Sequence, residues 1–267
     1  MKPLDHHRRT TIALGALATS LAASALVQGA SATQQRVLFI DNFDRANGPN
    51  NLITNEYAFR NPNDPRAVRS PNWEATSGSL FYKRGVGITG VPDGCKPDRY
   101  SQVCNDSAVF RLRTRRTGFK NVTVSVRLLN HSLTSTSRTP ARAIDGIHLW
   151  LRYQSEAQLY ALSVNRRDGT VVIKKKCPGG PSNGGTYYTL ASAKSLPIPF
   201  GTWQRVQATV QNGQDGSVNL RLSRDGTQLV EATDRGTGCA PITAAGRVGV
   251  RGDNDDFSIE AFTVTTP

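Results

Sequence analysis

From Ile144 to Lys176 apolar and polar residues alternate through three successive runs, Gly146–Tyr153, Gln158–Val164 and Thr170–Lys176. Period-two alternation marks a half-buried strand, and Asp168-Gly169 between the second and third runs is a hairpin signal. The pattern predicts three antiparallel strands. With Gln154–Ala157 and Arg166–Gly169 as loops, Leu149 falls opposite Leu162, and Leu162 opposite Ile173; Ile147, Val164 and Val171 make the next row. That face is core, and a one-residue slip would expose all of it, so the apolar set pins the register. The other face carries His148, Trp150 and Arg152, then Leu159, Ala161 and Ser163, then Val172, Lys174 and Lys176. It is basic and bears an aromatic ring, which suits an anionic sugar polymer. The competing reading makes Trp150 a second small core under a loop.

Further strands are predicted at Arg36–Phe43, Trp73–Tyr82 (two strands about a Ser77-Gly78 turn), Ser107–Arg113 and Asn121–Leu129. Ser107–Arg113 sets Ala108, Phe110 and Leu112 on one face and Arg111 and Arg113 on the other. Trp203–Asn212 and Ser217–Arg224 flank Asp215-Gly216, and Thr227–Ala232, Gly246–Arg251 and Phe257–Val264 complete the set. Asp44–Pro65, Gly85–Ser101 and Leu133–Ala141 read as loops. So does CPGGPSNGGTYY after Lys176, a glycine- and proline-rich loop ending in Tyr187 and Tyr188. No helix is predicted beyond residue 32. About a dozen short strands separated by turns indicate an all-β antiparallel sandwich.

Residues 1–32 read as a signal peptide: Lys2, Arg8 and Arg9 form a charged head, Thr11–Val27 is mostly alanine and leucine, and Ala30-Ser31-Ala32 is a small-residue cleavage site. Arg8-Arg9 also fits twin-arginine export. Residues 33–267 then form one domain. No later run approaches the roughly 20 apolar residues of a membrane anchor, so a secreted, soluble monomer is expected. The net charge of +13 favours acidic partners, and for an exported chain anionic glycans come before nucleic acid. The four cysteines, Cys95, Cys104, Cys177 and Cys239, suggest two disulfides with three possible pairings. Cys95–Cys104 would close a short loop, leaving Cys177–Cys239 to tie two long connections.

Several chemistries lack their residues. There is no Gly-x-Ser-x-Gly elbow, no phosphate-binding glycine loop, and beyond the leader only His131 and His148, too few for a transition-metal site. A hard cation is better supplied. Asp41, Asn42 and Asp44 end the first strand and Asp253–Asp256 lead into the last. If those strands pair, Asp41, Asp44, Asp253 and Asp255 gather at one end as ligands for a structural Ca2+. The competing reading is two turns.

The run GTWQRVQATV…DGSVNLRLSRDGTQLVEATD followed by GRVGVRGDNDDFSIEAFTV, with FIDNFDR on the first strand, resembles the concanavalin A-like lectin/glucanase superfamily. The resemblance implies a jelly roll whose first and last strands pair. It leaves activity open, since the superfamily spans lectins, laminin G-like modules, glycoside hydrolases and polysaccharide lyases. Retaining glucanases on this fold need two carboxylates about 5–5.5 Å apart on one face. None of Glu56, Glu74, Glu156, Glu231 and Glu260 has a second acid at that spacing on a strand. Jelly-roll alginate lyases are a looser match, through RLR at Arg111–Arg113, GIH at Gly146–His148, and IKKK with Tyr187-Tyr188 beyond. That likeness implies His148 as base, Tyr187 or Tyr188 as acid, and Arg111, Arg113, Arg152 and Lys174 as neutralising cations. The expectation is a protein that binds an acidic polysaccharide through Trp150, Arg152, Lys174, Lys176 and Arg113. A uronate lyase in the same groove, and a wall- or matrix-adhesion domain, are the alternatives.

Overall fold

The computed structural model describes residues 35–90, 108–137, 139–194 and 197–267. The expected signal peptide and the Cys95 and Cys104 pair lie outside the described residues. No described helix is long and apolar enough to cross a membrane.

Two antiparallel sheets face each other. The back sheet runs β14 (Thr227–Asp234), β13 (Val218–Arg224), β12 (Gln204–Asn212), β7 (Val122–Leu133), β16 (Asp255–Thr265), β5 (Val86–Thr89), β4 (Ser79–Lys83) and β2 (Leu52–Asn55). β1 (Val37–Asp41) also pairs with β16. The front sheet runs β11 (Gly185–Lys194), β10 (Thr170–Ser182), β9 (Gln158–Val164), β8 (Gly146–Ser155), β15 (Arg247–Asp253), β6 (Val109–Thr114) and β3 (Trp73–Ser77). Alternate residues meet between the layers: Val122, Val124, Val126 and Leu128 from the back; Ile147, Leu149, Leu162, Ile173, Phe110 and Leu112 from the front. At one end Trp73 is fully buried among Phe39, Phe43 and Phe262, and its indole donates to Asp41 Oδ2 over 2.8 Å.

The predicted register holds, with Leu149 against Leu162, Ile147 against Val164, and Leu162 against Ile173. The first and last strands pair, Val37 with Thr265 and Asp41 with Phe262. The predicted turn at Ser77-Gly78, however, is a corner between the sheets, and Asn254 marks a second. Around Gly78 (φ 73°), β3 lies in the front sheet and β4 in the back; around Asn254 (φ 45°), β15 and β16 divide likewise. The predicted loops hold structure too: β2 and a one-turn helix α1 (Tyr57–Arg60) lie within Asp44–Pro65, and β5 within Gly85–Ser101. The glycine-rich stretch after Lys176 is a hairpin: β10 runs on to Ser182 and β11 starts at Gly185, so Tyr187 and Tyr188 are strand residues. Local composition there signals a turn, but cross-strand pairing extends almost to its tip.

That hairpin is anchored at its base. Cys177 on β10 is disulfide-bonded to Cys239, beyond β14. Beside it Lys175, fully buried, donates to Asp234 Oδ1 over 2.8 Å, and the Tyr160 hydroxyl donates to Asp234 Oδ2 over 2.6 Å. A buried carboxylate held this way ties the front sheet to β14 of the back.

Candidate functional site

The outer face of the front sheet is read strand by strand. His148 opposes Ser163 on β9 and Arg251 on β15, and Arg251 opposes Arg111 on β6. The adjacent row carries Lys174, Ala161, Trp150, Gly249 and Arg113. Neighbouring strands lie about 4.8 Å apart, so four steps separate β11 from β15 by about 19 Å on a flat sheet. Yet the Tyr187 hydroxyl lies 3.4 Å from Arg251 Nη1. The sheet therefore curls, and the tip of the β10–β11 hairpin folds over its own face. Asn183 at that tip lies 3.2–3.3 Å from the Arg111 guanidinium, with its amide oxygen turned to accept.

Beneath this roof is a pocket of about 170 Å³. Its floor is His148, Trp150, Ala161, Ser163, Lys174, Arg251 and Asp253; Arg142 and Ile144 form one wall, Ser182 and Tyr187 the other. His148 is wired in at both nitrogens, Nδ1 to Ser163 Oγ at 2.7 Å and Nε2 to Asp253 Oδ2 at 3.1 Å. Burial holds its pKa below the usual imidazole range despite the attraction of Asp253. The neutral ring thus donates from Nε2 to Asp253 and accepts from Ser163. Asp253 also accepts from Arg251, at 3.0 Å from Nε and 2.8 Å from Nη2. Although burial opposes its charge, Arg251 and His148 keep this carboxyl well below the usual range.

The cations are in excess. Among the described residues Arg111, Lys174 and Lys176 have no carboxylate at ion-pair distance, whereas Arg251 has Asp253. Burial, with Arg251 nearby, lowers the pKa of Arg111; burial, with Arg166 and Arg251, lowers that of Lys174. Lys176, held chiefly by burial, falls to about 8. Its Nζ donates to the Glu156 carbonyl and lies 5.0 Å from the centre of the Tyr187 ring, with Lys174 Nζ at 5.9 Å. Two ammonium groups against one aromatic ring fix Tyr187 over the floor.

Several expected residues sit elsewhere. Arg152 does not reach this face. A bulge at φ 48° turns it inward, where it is fully buried and donates to the Lys120 and Ile242 carbonyls and to Asn121 Oδ1. Tyr153 takes its place outside, 5.2 Å from the Trp150 ring. Trp150 is only 3% exposed, in a satellite cluster with Tyr153, Leu159, Ala161 and the edge of Tyr187. It is roofed and offers no open stacking platform. Tyr188 faces away and packs on the loop at Gly238, where an added Cβ would lie 2.5 Å from its ring. Arg113 is on the outer face but is spent on Glu74 (2.7 Å) and the Tyr153 hydroxyl (2.7 Å).

Nor do the acid groups meet. Asp41 pairs in register with Phe262, seven residues along β16 from Asp255, which is about 23 Å of extended strand. Asp41 accepts from Trp73 and Asn72, Asp253 from His148 and Arg251, and Asp255 from Asn130. Asp44 stays with Asp41 in a polar recess behind β1. Among the described residues no three His, Cys, Asp or Glu side chains gather as a metal site. Arg251 is the site residue that sequence reasoning missed; the alternation of Val248, Val250 and Gly252 already put it on the outer face. Arg142 and Ile144, in a predicted-loop flank, gave no signal.

No family model matches the chain, and no curated protein matches it in sequence. Similar solved structures are numerous. β-Agarase B from Zobellia galactanivorans is similar over 87% of this chain and 94% of its own, with a TM-score of 0.54 and 9% identity. A Bacillus subtilis protein of unknown function with a galectin-like fold matches over 87% and 98%, with a TM-score of 0.52 and 14% identity. A chain associated with endo-acting O-glycanases of the human gut microbiota matches over 87% and 100%, with a TM-score of 0.52 and 8% identity. Identities this low carry the fold alone, a two-sheet antiparallel jelly roll.

Proposed function

We propose that the roofed face of the front sheet binds an anionic saccharide. The observation that carries this reading is a surplus of cations that have no carboxylate partner among the described residues: Lys174 lines the pocket, with Lys176 against Tyr187 and Arg111 against Asn183 beside it, while the one carboxylate of the lining, Asp253, is already neutralised by Arg251. A cation with no partner in a partly dry site binds carboxylate or sulfate more strongly than it would in water. The Tyr187 ring and the exposed Ile144 side chain supply apolar surface for a sugar ring. The similarity to β-agarase B supports a saccharide over other anions only through the shared fold. The leader pattern and the Cys177–Cys239 disulfide support a role outside the cytoplasm. Electrophoresis through gels cast with polygalacturonate, alginate, heparin, laminarin or agarose tests the reading. Retardation by acidic polymers, relieved by salt and weakened in Lys174→Gln, is expected; equal retardation by neutral polymers would overturn it.

A second reading, a β-eliminating lyase, is favoured by one observation: the Tyr187 hydroxyl, His148 and Arg251 line the same pocket. It ranks lower because both nitrogens of His148 are occupied, leaving no free base. Ultraviolet absorbance of an unsaturated uronate product decides it. A rise that Tyr187→Phe abolishes would promote the lyase; a flat trace on polymers that demonstrably bind would retire it.

A further inference from the structure

The outer face of the back sheet carries a second feature, unused by the front pocket. An antiparallel sheet with one face on a core turns polar residues to water on the other. Here apolar residues come in pairs instead: Leu80-Phe81 on β4 and Leu128-Leu129 on β7 each put one side chain in the core and leave the next part-exposed outside. The register lines the outer ones up. Phe81 opposes Ile88, Ile88 opposes Ser258, and Ser258 opposes Leu129. Trp203, immediately before β12, extends the row past Leu129, since Gln204 opposes Leu128. The row crosses four strand spacings, about 19 Å on a flat sheet, and lines a groove of about 910 Å³.

Exposed apolar surface rimmed by polar groups marks a binding groove, and the rim says what fits. On either side of Ser258, β16 contributes Asp256 and Glu260 to the lining, which sets Lys83 and Arg84 against them. Glu260 is paired with Arg127, whose guanidinium lies 5.0 Å from the centre of the Trp203 ring and holds that ring at the end of the row. His131 Nε2 and Ser258 Oγ are bonded at 2.8 Å. Unlike the front pocket, this groove offers donors and acceptors alike. A second protein surface fits it poorly, because an interface core is depleted of charge and covering carboxylates costs free energy. Burial already raises the Asp256 pKa, although Thr89 donates to its Oδ1 over 2.7 Å. Sugar hydroxyls donate to carboxylates and accept from ammonium and guanidinium groups, and the C–H face of a sugar ring packs on an aromatic one.

We propose that this groove binds an uncharged saccharide chain lying across the strands, with Trp203 and Phe81 as the aromatic platforms at its two ends. The site is separate from the front pocket and does not rest on the anionic reading.

Tryptophan fluorescence and calorimetry test it together. Trp73 and Trp150 are 0% and 3% exposed, so Trp203 is the accessible indole. Cello-, laminari-, xylo-, manno- and agaro-oligosaccharides are titrated into the protein at about 1 M salt, where charge attraction is screened. At least one should bind and shield the fluorescence from acrylamide. Its calorimetric affinity should fall at least tenfold in folded Trp203→Ala and at least threefold in Phe81→Ala, at the far end of the row. It should stay within threefold in Trp203→Phe, which keeps a ring, and within twofold in Lys174→Gln. No binding of any of these sugars by folded wild type, or binding that both Trp203→Ala and Phe81→Ala leave intact, would overturn the proposal. So would a dimer in sedimentation that Trp203→Ala dissolves, which would make the row an interface between copies. The gel comparison of acidic with neutral polymers is repeated in Trp203→Ala, where only the front face remains, so that the two readings fail separately.

Discussion

Tyr187 and Arg251 stand four strands apart in the front sheet, yet the hydroxyl of one lies 3.4 Å from the guanidinium of the other. That contact turns an open basic face into a roofed pocket. It also explains why Trp150 is sealed and why Arg111 is desolvated: both lie beneath or beside the folded-over hairpin.

The hairpin's anchorage sets the first prediction. The disulfide closes a loop spanning 62 positions, for which chain entropy gives about 4 kcal/mol. Reduction, or the double replacement Cys177→Ser with Cys239→Ser, should lower stability to urea by that order. Saccharide affinity should fall with it, because the roof loses its tether. Unchanged affinity in the folded double variant would show that the roof holds without it.

Lys175 and Asp234 supply the second. Removing one partner of a buried pair costs about 3–5 kcal/mol, so Lys175→Met should unfold at markedly lower urea. The Asp234 pKa lies below the usual range, because the bonds from Lys175 and Tyr160 outweigh burial. A depressed carboxyl contributes stability above its unfolded pKa and loses it as pH falls through the folded value. Wild type should therefore lose part of its margin on acidification, and Lys175→Met should lose less over the same range. Parallel pH profiles would contradict this role.

Asp255 behaves in the opposite sense. Burial, with Asp256 nearby, lifts it to about 8 although Asn130 donates to both its oxygens. A raised carboxyl binds its proton more tightly when folded, so its contribution is complete below the unfolded value near 4, falls as pH rises toward 8 and is level above. Asp255→Asn keeps an acceptor for Asn130 without the charge. It should be the more stable protein at pH 8 and lose that advantage by pH 4, as thermal melts across pH would reveal.

Arg152 separates scaffold from site. Arg152→Lys forfeits hydrogen bonds to the Lys120 and Ile242 carbonyls and should cost about 2–3 kcal/mol. Because the side chain points into the protein, affinity for acidic saccharides should stay within twofold. A tenfold loss in the folded variant would return Arg152 to the binding face.

How much of this was legible in the sequence follows from what alternation encodes. It encodes facing, so the register of β8, β9 and β10 and the outward placement of His148 and Lys174 could be read directly. It cannot encode a bulge: the single inserted residue at Arg152 exchanged it with Tyr153. Nor does it separate a hairpin from a corner, so Gly78 and Asn254 hid the passage between sheets. Asp253 read as a metal ligand because its partners, His148 and Arg251, are set by cross-strand pairing and by a side chain on its own strand reaching back. The roof was invisible because a glycine- and proline-rich composition marks a turn but not the direction in which the hairpin tip folds.

The central claim is that unpaired cations under the roof hold an anionic saccharide, and calorimetric titration of an acidic oligosaccharide tests it most directly. The same oligosaccharide would be titrated into wild type, Lys174→Gln and Lys174→Arg from pH 6 to pH 9. Burial lowers the pKa of Lys174, so it loses its charge earlier than an ordinary lysine. Lys174→Gln should be at least tenfold weaker than wild type at pH 6 and Lys174→Arg should keep most of the affinity, while wild-type affinity should be level at low pH and decline above about pH 8, where Lys176 beside the pocket loses its charge. Binding equally strong in Lys174→Gln, with no pH dependence in any of the three, would contradict the account.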